Sequence, residues 1–256
     1  MLVLVMAWED RSRHGYSPMR VHYLGHSAFV LQFGGELTVV CDYGAPNAWL
    51  EWGWDSPIHD IGDLVPDVIT TSHAEHDDHY DVERWPDGVT HRLTGQDRLE
   101  IHGLLIEPFR TCEKSVDEAD NTSFLFSYQG LRVLHLGDCQ ADIQAIDQDT
   151  HRERIRSRLP QQVDLLLMPI ESQEQFDGEA ARFLELLNPR IVVPMHYWSR
   201  DTLDALLSII ETSTGERIVV RSDACQLEIS ERLSQETKQA VSLRRSPFRG
   251  WQDVRL

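Results

Sequence analysis

The chain has 256 residues and a formal net charge of −18, from 42 acidic and 24 basic side chains. This length is enough to bury a sizeable core in one α/β domain. The acidic balance argues against nucleic acid and anionic membrane as partners, because binding to phosphate surfaces relies on clustered Lys and Arg. No run approaches the ~20 apolar residues of a membrane-spanning helix. Four widely spaced cysteines without a C-x-x-C pair indicate a reducing, cytoplasmic setting.

The first part of the chain predicts a meander of three short strands. Residues 21–24, 29–33 and 37–41 are apolar runs separated by glycines, which is typical of antiparallel strands joined by tight turns. A fourth apolar strand, residues 67–71, leads directly into the segment TSHAEHDDHY. A strand in this position fixes the backbone, and the loop after it can present polar side chains.

That segment carries six side chains that can bind a metal within seven consecutive positions. They are His73, Glu75, His76, Asp77, Asp78 and His79. Imidazole and carboxylate together suit zinc, manganese or iron. The alternative interpretation is a histidine-rich surface loop that binds no metal.

The second half of the chain repeats the arrangement of a strand followed by a polar residue. Its predicted elements are, in chain order, strands at residues 123–128 and 131–136, a helix at 152–159, a strand at 163–170, a helix at 179–187 and a strand at 190–195. Asp138 follows the second of these strands and His196 follows the last. Together with the segment after residue 71, three separate strands therefore each deliver a candidate ligand at their C-terminal end.

The motifs that carry a family resemblance are GHS at residues 25–27, Asp42, TSHAEHDDH at 71–79, NTSFLFSYQGLRVLHLGD at 121–138, LLLMPI from 165 and NPRIVVPMHY at 188–197. In this order they resemble the metallo-β-lactamase superfamily, and more narrowly its lactonase-like branch, whose best-known member opens the lactone of ascorbate 6-phosphate. The resemblance spans roughly residues 19–230. It implies a single-domain, four-layer αββα sandwich of the α/β class, with one or two metal ions at one edge of the two sheets.

The resemblance also implies a ligand set and an activity. The implied metal ligands are His73, His76, Asp78, His79, Asp138 and His196. Zinc is the expected metal, with manganese or iron as alternatives. Asp78 would also orient a metal-activated water for attack on a small-molecule lactone, ester, amide or phosphodiester. Asp138 would bridge two metals.

One of the two metal positions departs from the family pattern. Counted from its two ends, the loop holds one residue more than the family spacing, so it must bulge for His73 and His76 to converge. Where relatives have a further histidine, this chain reads FRTCE at residues 109–113. Cys112 or Glu113 could substitute chemically, but absence of this ligand is the simpler interpretation.

Two other functions stay open. His73, Glu75 and Asp77 also read as H-x-E-x-D, which resembles the loop of flavodiiron oxygen and nitric oxide reductases. In that register the protein would be a diiron oxidoreductase, with Asp78 where those proteins have a histidine. A third hypothesis is a metal-poor member of the family that acts as a binding or scaffold protein.

Roles outside this set are less defined. His26 of the GHS motif is either a site residue or a structural hydrogen-bonding residue, and Trp49, Trp52 and Trp54 either line a substrate pocket or, as we prefer, pack under a loop. We predict an N-terminal extension at residues 1–18, the domain at 19–230 and a basic C-terminal segment at 231–256. That segment has six basic and three acidic residues, so it would dock on its own domain or on a second subunit in a homo-oligomer. A frayed tail is the alternative.

Overall fold

The computed structural model describes residues 4–6, 18–50, 57–160, 162–170, 178–213, 218–222, 224–229 and 238–251. The strands are β1 Leu4–Met6, β2 Met19–Gly25, β3 Ala28–Phe33, β4 Leu37–Cys41, β5 Val68–Thr70, β6 His91–Leu93, β7 Leu99–Ile101, β8 Leu104–Thr111, β9 Asn121–Tyr128, β10 Leu131–His135, β11 Leu165–Pro169, β12 Ile191–Met195, β13 Ile218–Arg221, β14 Gln226–Ile229 and β15 Gln239–Ser242. The helices are α1 Gln140–Gln144, α2 Asp149–Arg158, α3 Glu179–Leu187 and α4 Arg200–Ser213.

The strands form two sheets. The first has the order β1-β14-β2-β3-β4-β5-β6 and the second has the order β13-β15-β12-β11-β10-β9-β8-β7. In the first sheet β2, β3 and β4 are antiparallel, as the apolar runs predict, and β5 and β6 continue the sheet in parallel. In the second sheet β9 and β10 form the predicted hairpin, after which β10, β11 and β12 run parallel.

The two sheets pack face to face around the main core. Along β3, Phe29, Leu31 and Phe33 belong to the core between the sheets, whereas Ala28 and Val30 belong to a second cluster on the opposite face. This alternation is the two-residue period of a strand that is covered on both sides. The interior of the sandwich is therefore built from alternate residues of both sheets.

The outer layers differ between the two sheets. Helix α4 contacts β13 and β15, and α3 contacts both α1 and α4, so helices accompany the second sheet. The outer face of the first sheet is covered by loop side chains, including Ile58, Ile61 and Phe248. This arrangement confirms the expected α/β sandwich of two sheets. In the described residues, however, loops rather than the expected α-helices form the layer outside the first sheet. None of the helices in the described residues has the length and apolar character to cross a bilayer.

The predicted C-terminal boundary of the domain needs correction. Strand β15 lies between β12 and β13 in the second sheet, with parallel pairing to both, so a domain that ended at residue 230 would lose an internal strand. Phe248 is buried, and its N–H donates to the carbonyl of Asp60 at 2.9 Å. Residues 238–251 thus dock on their own domain through strand pairing and apolar contact. Within the predicted extension, β1 pairs with β14.

Candidate metal centre

The candidate ligands meet at one edge of the sandwich, where strands of both sheets end. His26 follows β2, and the loop that contains His73 and His79 follows β5. Asp138 follows β10 and His196 follows β12. Because the strands belong to a rigid framework, their ends hold these side chains in fixed relative positions.

Four buried side chains form the first group. The candidate ligand atoms of His26, Asp78, His79 and His196 all lie within 4.8 Å of one another. His26 Nε2 is 2.8 Å and His79 Nε2 is 3.5 Å from Asp78 Oδ2, and the rings of His26 and His196 lie 3.9 Å apart. Of the two alternatives for His26, the structure therefore places it among the candidate ligands.

A second group consists of His73, His76 and Glu113, whose candidate ligand atoms also lie within 4.8 Å of one another. His73 Nε2 is 2.8 Å from one carboxylate oxygen of Glu113, and His76 Nδ1 is 3.8 Å from the other. The two histidine rings stack at 4.9 Å, while Ala74 and Glu75 between them are exposed. The loop therefore bulges at these two residues, and the extra position does not separate the histidines.

We expected this group to lack a third candidate ligand. That expectation is wrong, because the carboxylate of Glu113 lies beside His73 and His76. Neighbouring residues at a strand end point to opposite faces, so Cys112 faces away from the histidines. The thiol of Cys112 lies 3.6 Å from the carbonyl of Val116, and the backbone N–H of Cys112 donates to Asp142 Oδ2 at 2.8 Å. The N–H of Glu113 donates to Asp120 Oδ1 at 2.8 Å, which fixes the backbone at the carboxylate.

Asp138 lies beside the first group. Its Oδ2 is 3.2 Å from His196 Nε2. Burial alone would raise the pKa of Asp138, but the neighbouring imidazoles of His196, His79 and His73 outweigh burial and hold the pKa well below its ordinary value. One of these imidazoles, His73, belongs to the second group, so the carboxylate is close enough to both groups to interact with them electrostatically.

The burial of the loop distinguishes its two registers. Asp78 is buried, and its Oδ2 accepts a hydrogen bond from Trp49 Nε1 at 2.7 Å. Glu75 and Asp77 are exposed, and neither belongs to the two groups. The geometry thus brings together all six residues of the predicted ligand set and leaves out the carboxylates of the H-x-E-x-D register. Metal binding by these residues stays a prediction.

Several polar atoms of the site lack a hydrogen-bond partner, and they indicate whether a metal ion would fit there. Among the described residues, His79 Nε2, Asp78 Oδ1 and Asp138 Oδ1 are buried without a hydrogen-bond partner. Such atoms are rare in folded proteins and call for an explanation. A divalent cation bound to these nitrogen and oxygen donors would satisfy them, and the donor set suits zinc, manganese or iron. The residues present therefore fit the expected metal.

Asp42 orients His79 within the site. Its Oδ2 lies 2.9 Å from His79 Nδ1, and the same carboxylate accepts the N–H and the hydroxyl of Ser72 at 2.7 and 2.8 Å. A carboxylate at Nδ1 keeps a proton there and directs Nε2 toward a metal. Burial disfavours charge on His79, but the carboxylates of Asp78 and Asp42 outweigh it and raise its pKa to about 10.

His26 has the opposite electrostatic setting. Burial and the nearby His196 lower the pKa of His26 to about 4, against the opposing hydrogen bond to Asp78. Its imidazole is therefore neutral at pH 7. The backbone here is constrained too, since His26 and His196 have φ values of 51° and 58°, and the N–H of His196 donates to the carbonyl of His26 at 2.8 Å. Left-handed backbone in non-glycine residues costs about 1–3 kcal/mol and clusters at functional sites.

Sequence reasoning left two site residues unassigned. From the sequence alone, Glu113 is one of two chemical substitutes for a histidine, and His26 has two alternative roles. The signal for Glu113 is its position directly after the end of β8 and Cys112, and the signal for His26 is the GHS turn that ends β2. Trp49 adds a third contribution, because it hydrogen-bonds Asp78 and its ring lies 5.8 Å from that of Trp198. Trp52 and Trp54 lie outside the described residues.

Comparisons with known proteins agree with this architecture. A family model described as a β-lactamase superfamily domain matches residues 20–196. A protein of Archaeoglobus fulgidus named a metal-dependent hydrolase is 26% identical over 209 residues, which cover 70% of this chain and 83% of the relative. A protein of the same name from Methanosarcina mazei is 23% identical over 239 residues, which cover 80% and 96%.

Solved structures show the same fold. The crystal structure of a candidate zinc-dependent hydrolase of the metallo-β-lactamase superfamily from Thermotoga maritima aligns with a TM-score of 0.57 at 23% identity, and the match covers 88% of this chain and 99% of that one. The metallo-β-lactamase fold protein YhfI from Bacillus subtilis aligns with a TM-score of 0.52 at 13% identity, over 90% and 98% of the two chains. At these identities the likeness concerns the fold.

Proposed function

The chain belongs to the β-lactamase superfamily, and from that membership we propose that it is a metal-dependent hydrolase with the centre described above. The observation that carries the proposal is a pair of neighbouring groups of candidate ligands. One group is His26, Asp78, His79 and His196, and the other is His73, His76 and Glu113. Asp138 Oδ2 lies 3.2 Å from His196 Nε2 of the first group. The names of the two archaeal relatives are consistent with it. The proposed substrate is a small-molecule lactone, ester, amide or phosphodiester.

Zinc is the metal that we favour, with manganese or iron as alternatives, because the donors combine several imidazoles with carboxylates. When bound, such an ion supplies an activated water at neutral pH and polarises the carbonyl or phosphoryl oxygen that is attacked. Cys41, Cys112, Cys139 and Cys225 are free thiols. The setting that we propose for the protein is the reducing cytoplasm, where thiols are kept reduced.

The residues of the chain have separable roles in this proposal. Asp78 stays ionised at neutral pH, because the charge of His79 and the hydrogen bond with His26 outweigh burial and hold its pKa well below the ordinary value. Its carboxylate can therefore accept a hydrogen bond from an attacking water and orient it. Trp49 donates to the same carboxylate at 2.7 Å and fixes its position. The ring of Trp198 lies 5.2 Å from that of His26, so the two tryptophans form an apolar wall that limits access of bulk water.

Metal analysis and hydrolysis assays together test the proposal. Protein purified without added metal is assayed for zinc, manganese and iron, and then for hydrolysis of a lactone, a nitrophenyl ester, an acyl amide and a phosphodiester before and after chelation. We expect bound metal and a hydrolytic activity that is lost with a chelator and restored by the metal. Iron with visible absorbance and an oxygen-dependent activity would favour the diiron hypothesis. Absence of any metal would favour a binding protein.

A pair of histidine variants provides the control. His196 and His102 both have left-handed backbone, with φ values of 58° and 47°, but His196 is buried in the centre and His102 is exposed in the turn between β7 and β8. Asparagine tolerates this conformation. We expect His196→Asn to lose metal and activity and His102→Asn to retain both. Equal behaviour of the two variants would contradict the assignment of His196.

A further inference from the structure

A basic cleft adjoins the candidate metal centre. It has a volume of about 300 Å³ and is lined by Pro57, His59, Tyr197, Arg200, Arg244 and Arg245. This volume is at the lower end of the roughly 300–1,000 Å³ typical of small-molecule sites. The cleft is therefore large enough for part of a small ligand.

The charge of the cleft contrasts with that of the whole chain. Among the described residues that line it, three of six are arginines and none is acidic, whereas the protein as a whole carries a formal charge of −18. The nearby acidic groups have other contacts. Asp204 lies 3.8 Å from Arg200 in a pair that is about half exposed, which is a weak interaction. Asp60 Oδ1 accepts a hydrogen bond from Tyr43 at 3.0 Å.

The arginines are positioned by the fold. Arg244 follows the buried Leu243, just after β15, and its N–H donates to the carbonyl of Ala224 at 2.8 Å. The guanidinium of Arg245 lies over the ring of Tyr197, 5.5 Å from the ring centroid. A guanidinium held against an aromatic face keeps its N–H groups at the edges of its plane for an oxyanion. Binding an anion therefore requires little additional ordering of the Arg245 side chain.

The walls of the cleft are attached to the strand ends that carry the metal centre. Tyr197 directly follows His196, and the N–H of His59 donates at 3.0 Å to the carbonyl of Leu24, two residues before His26. The hydroxyl of Tyr23 donates to the carbonyl of His26 at 2.9 Å. A molecule in the cleft thus lies beside the backbone that presents His26 and His196.

We propose that this cleft is an anion-binding subsite, which holds a phosphate or carboxylate group of the substrate while the scissile bond of the same molecule lies at the metal centre. The placement of the scissile bond at the metal centre rests on the proposed hydrolytic function. The binding of an anion is inferred from the residues that line the cleft and does not depend on that function. The substrate class is therefore narrowed to small anionic esters, lactones, amides or phosphodiesters.

Titration with inorganic phosphate and with acetate tests anion binding directly. Both anions are titrated by calorimetry into the full-length protein, as purified and after chelation, so that binding to a metal is separated from binding to the cleft. We expect at least one anion to bind in both states, with an affinity that falls as salt is added. The double variant Arg244→Gln/Arg245→Gln should weaken binding at least about tenfold, and Arg200→Gln should weaken it to a smaller extent.

Arg249→Gln is the matched control. Arg249 is an exposed arginine of the same segment that does not line the cleft. Its replacement changes net charge by one unit, as Arg200→Gln does, and should leave anion affinity within about twofold. Thermal melting checks that all variants fold. An affinity that is lost on chelation and unchanged by Arg244→Gln/Arg245→Gln would overturn the proposal, because the anion would then bind the metal. Equal weakening by Arg249→Gln would overturn it too, since only net charge would matter.

Ester pairs test whether the anion belongs to the substrate. Nitrophenyl butanoate and the mononitrophenyl ester of succinate have acyl chains of equal length that end in a methyl group and in a carboxylate, respectively. The metal-loaded protein should show a KM for the succinate ester about tenfold lower. That difference should shrink in Arg200→Gln, disappear in Arg244→Gln/Arg245→Gln and persist in Arg249→Gln. Equal KM values with intact phosphate binding would overturn the substrate role of the cleft. Arginine-dependent phosphate binding without any hydrolysis would contradict the proposed function and leave the anion site supported.

Discussion

At the scale of single residues, the assignment of Glu113 over Cys112 makes a direct prediction. Glu113→Gln keeps the size of the side chain but removes the charge that faces His73 and His76 at 2.8 and 3.8 Å. We expect metal affinity at this group to fall at least about tenfold, because even residues that only support ligands cost 10–100-fold when replaced. Metal content per chain and competition with a coloured chelator measure this effect.

Cys112→Ser is the control for that variant, since a serine hydroxyl can keep the contact with the carbonyl of Val116 at the thiol position. The thiol lies on the far side of the backbone from the histidines, so this variant should bind metal like the unmodified protein. Metal loss in Cys112→Ser with retention in Glu113→Gln would reverse the assignment. The sequence could not decide between the two residues, because the end of β8 sets which of them faces the site and a shift by one residue exchanges them.

At the scale of elements, the residues that follow β10 and β5 are in close contact. We therefore expect a single methyl group added at Gly137 to lower the stability of the fold strongly. Gly137 has a φ of 61°, and a Cβ at this position would overlap the side chains of Ser72 and Asn121. Gly137→Ala should therefore lower the free energy of unfolding by about 1–2 kcal/mol for the backbone and a further 1–3 kcal/mol for the overlap. Because Asp138 follows directly, metal affinity should fall as well.

Gly103→Ala separates the two contributions. Gly103 has a φ of 80°, but a Cβ there has no atom within 4 Å, so only the backbone cost applies. Chemical denaturation of both variants gives the comparison, and metal titration of both shows whether the site moves. Equal destabilisation would mean that the approach of β10 to Ser72 is not a tight contact in solution.

Elements with a strong local pattern were predictable, and those defined by distant pairing were not. The apolar runs of β2 to β5 and β9 to β12 and the helix α3 appear as expected, because alternation and periodicity are local signals. Strand β15 has four residues and includes Gln239 and Ser242, so its composition does not indicate a strand. Its place between β12 and β13 depends on parallel pairing with residues far away in the chain, which no local pattern encodes.

The same distinction applies to the candidate site. Ligands directly after apolar strands, such as Asp138 and His196, could be predicted because a strand end is visible in the sequence. His26 could not be assigned, because its direction depends on the irregular pairing of β2 with β3 between Tyr23 and Gly25 and on its left-handed backbone. The basic cleft was also not predictable, since it joins residues 57–59, 197–200 and 244–245.

At the scale of the whole molecule, the metal centre connects the two sheets. His26, His73 and His79 follow strands of the first sheet, whereas Glu113, Asp138 and His196 follow strands of the second. A metal bound to both sets should stabilise the folded state alone, by about 2.7 kcal/mol at a free metal concentration 100-fold above the dissociation constant. This stabilisation should depend on pH, because protons compete with metal for the same imidazoles.

His79 determines the sign of that dependence. In the metal-free protein its pKa is raised to about 10, since the carboxylates of Asp78 and Asp42 outweigh burial, against an ordinary value near 6.5. A raised folded-state pKa stabilises the metal-free fold fully below about pH 6.5, and this contribution is lost as pH rises through about 10. Metal binding at pH 7 must displace that proton, so affinity should increase with pH over the same range.

Calorimetric metal titrations at pH 7 in buffers of different ionisation enthalpy measure the released protons, and we expect about one from His79. The gap in melting temperature between metal-loaded and metal-free protein should widen from pH 7 toward pH 9. Asp42→Asn removes one of the carboxylates that hold the proton on His79, so its proton release at pH 7 should be smaller. A release near zero in the unmodified protein, or one that Asp42→Asn leaves unchanged, would show that His79 is already neutral when the metal arrives.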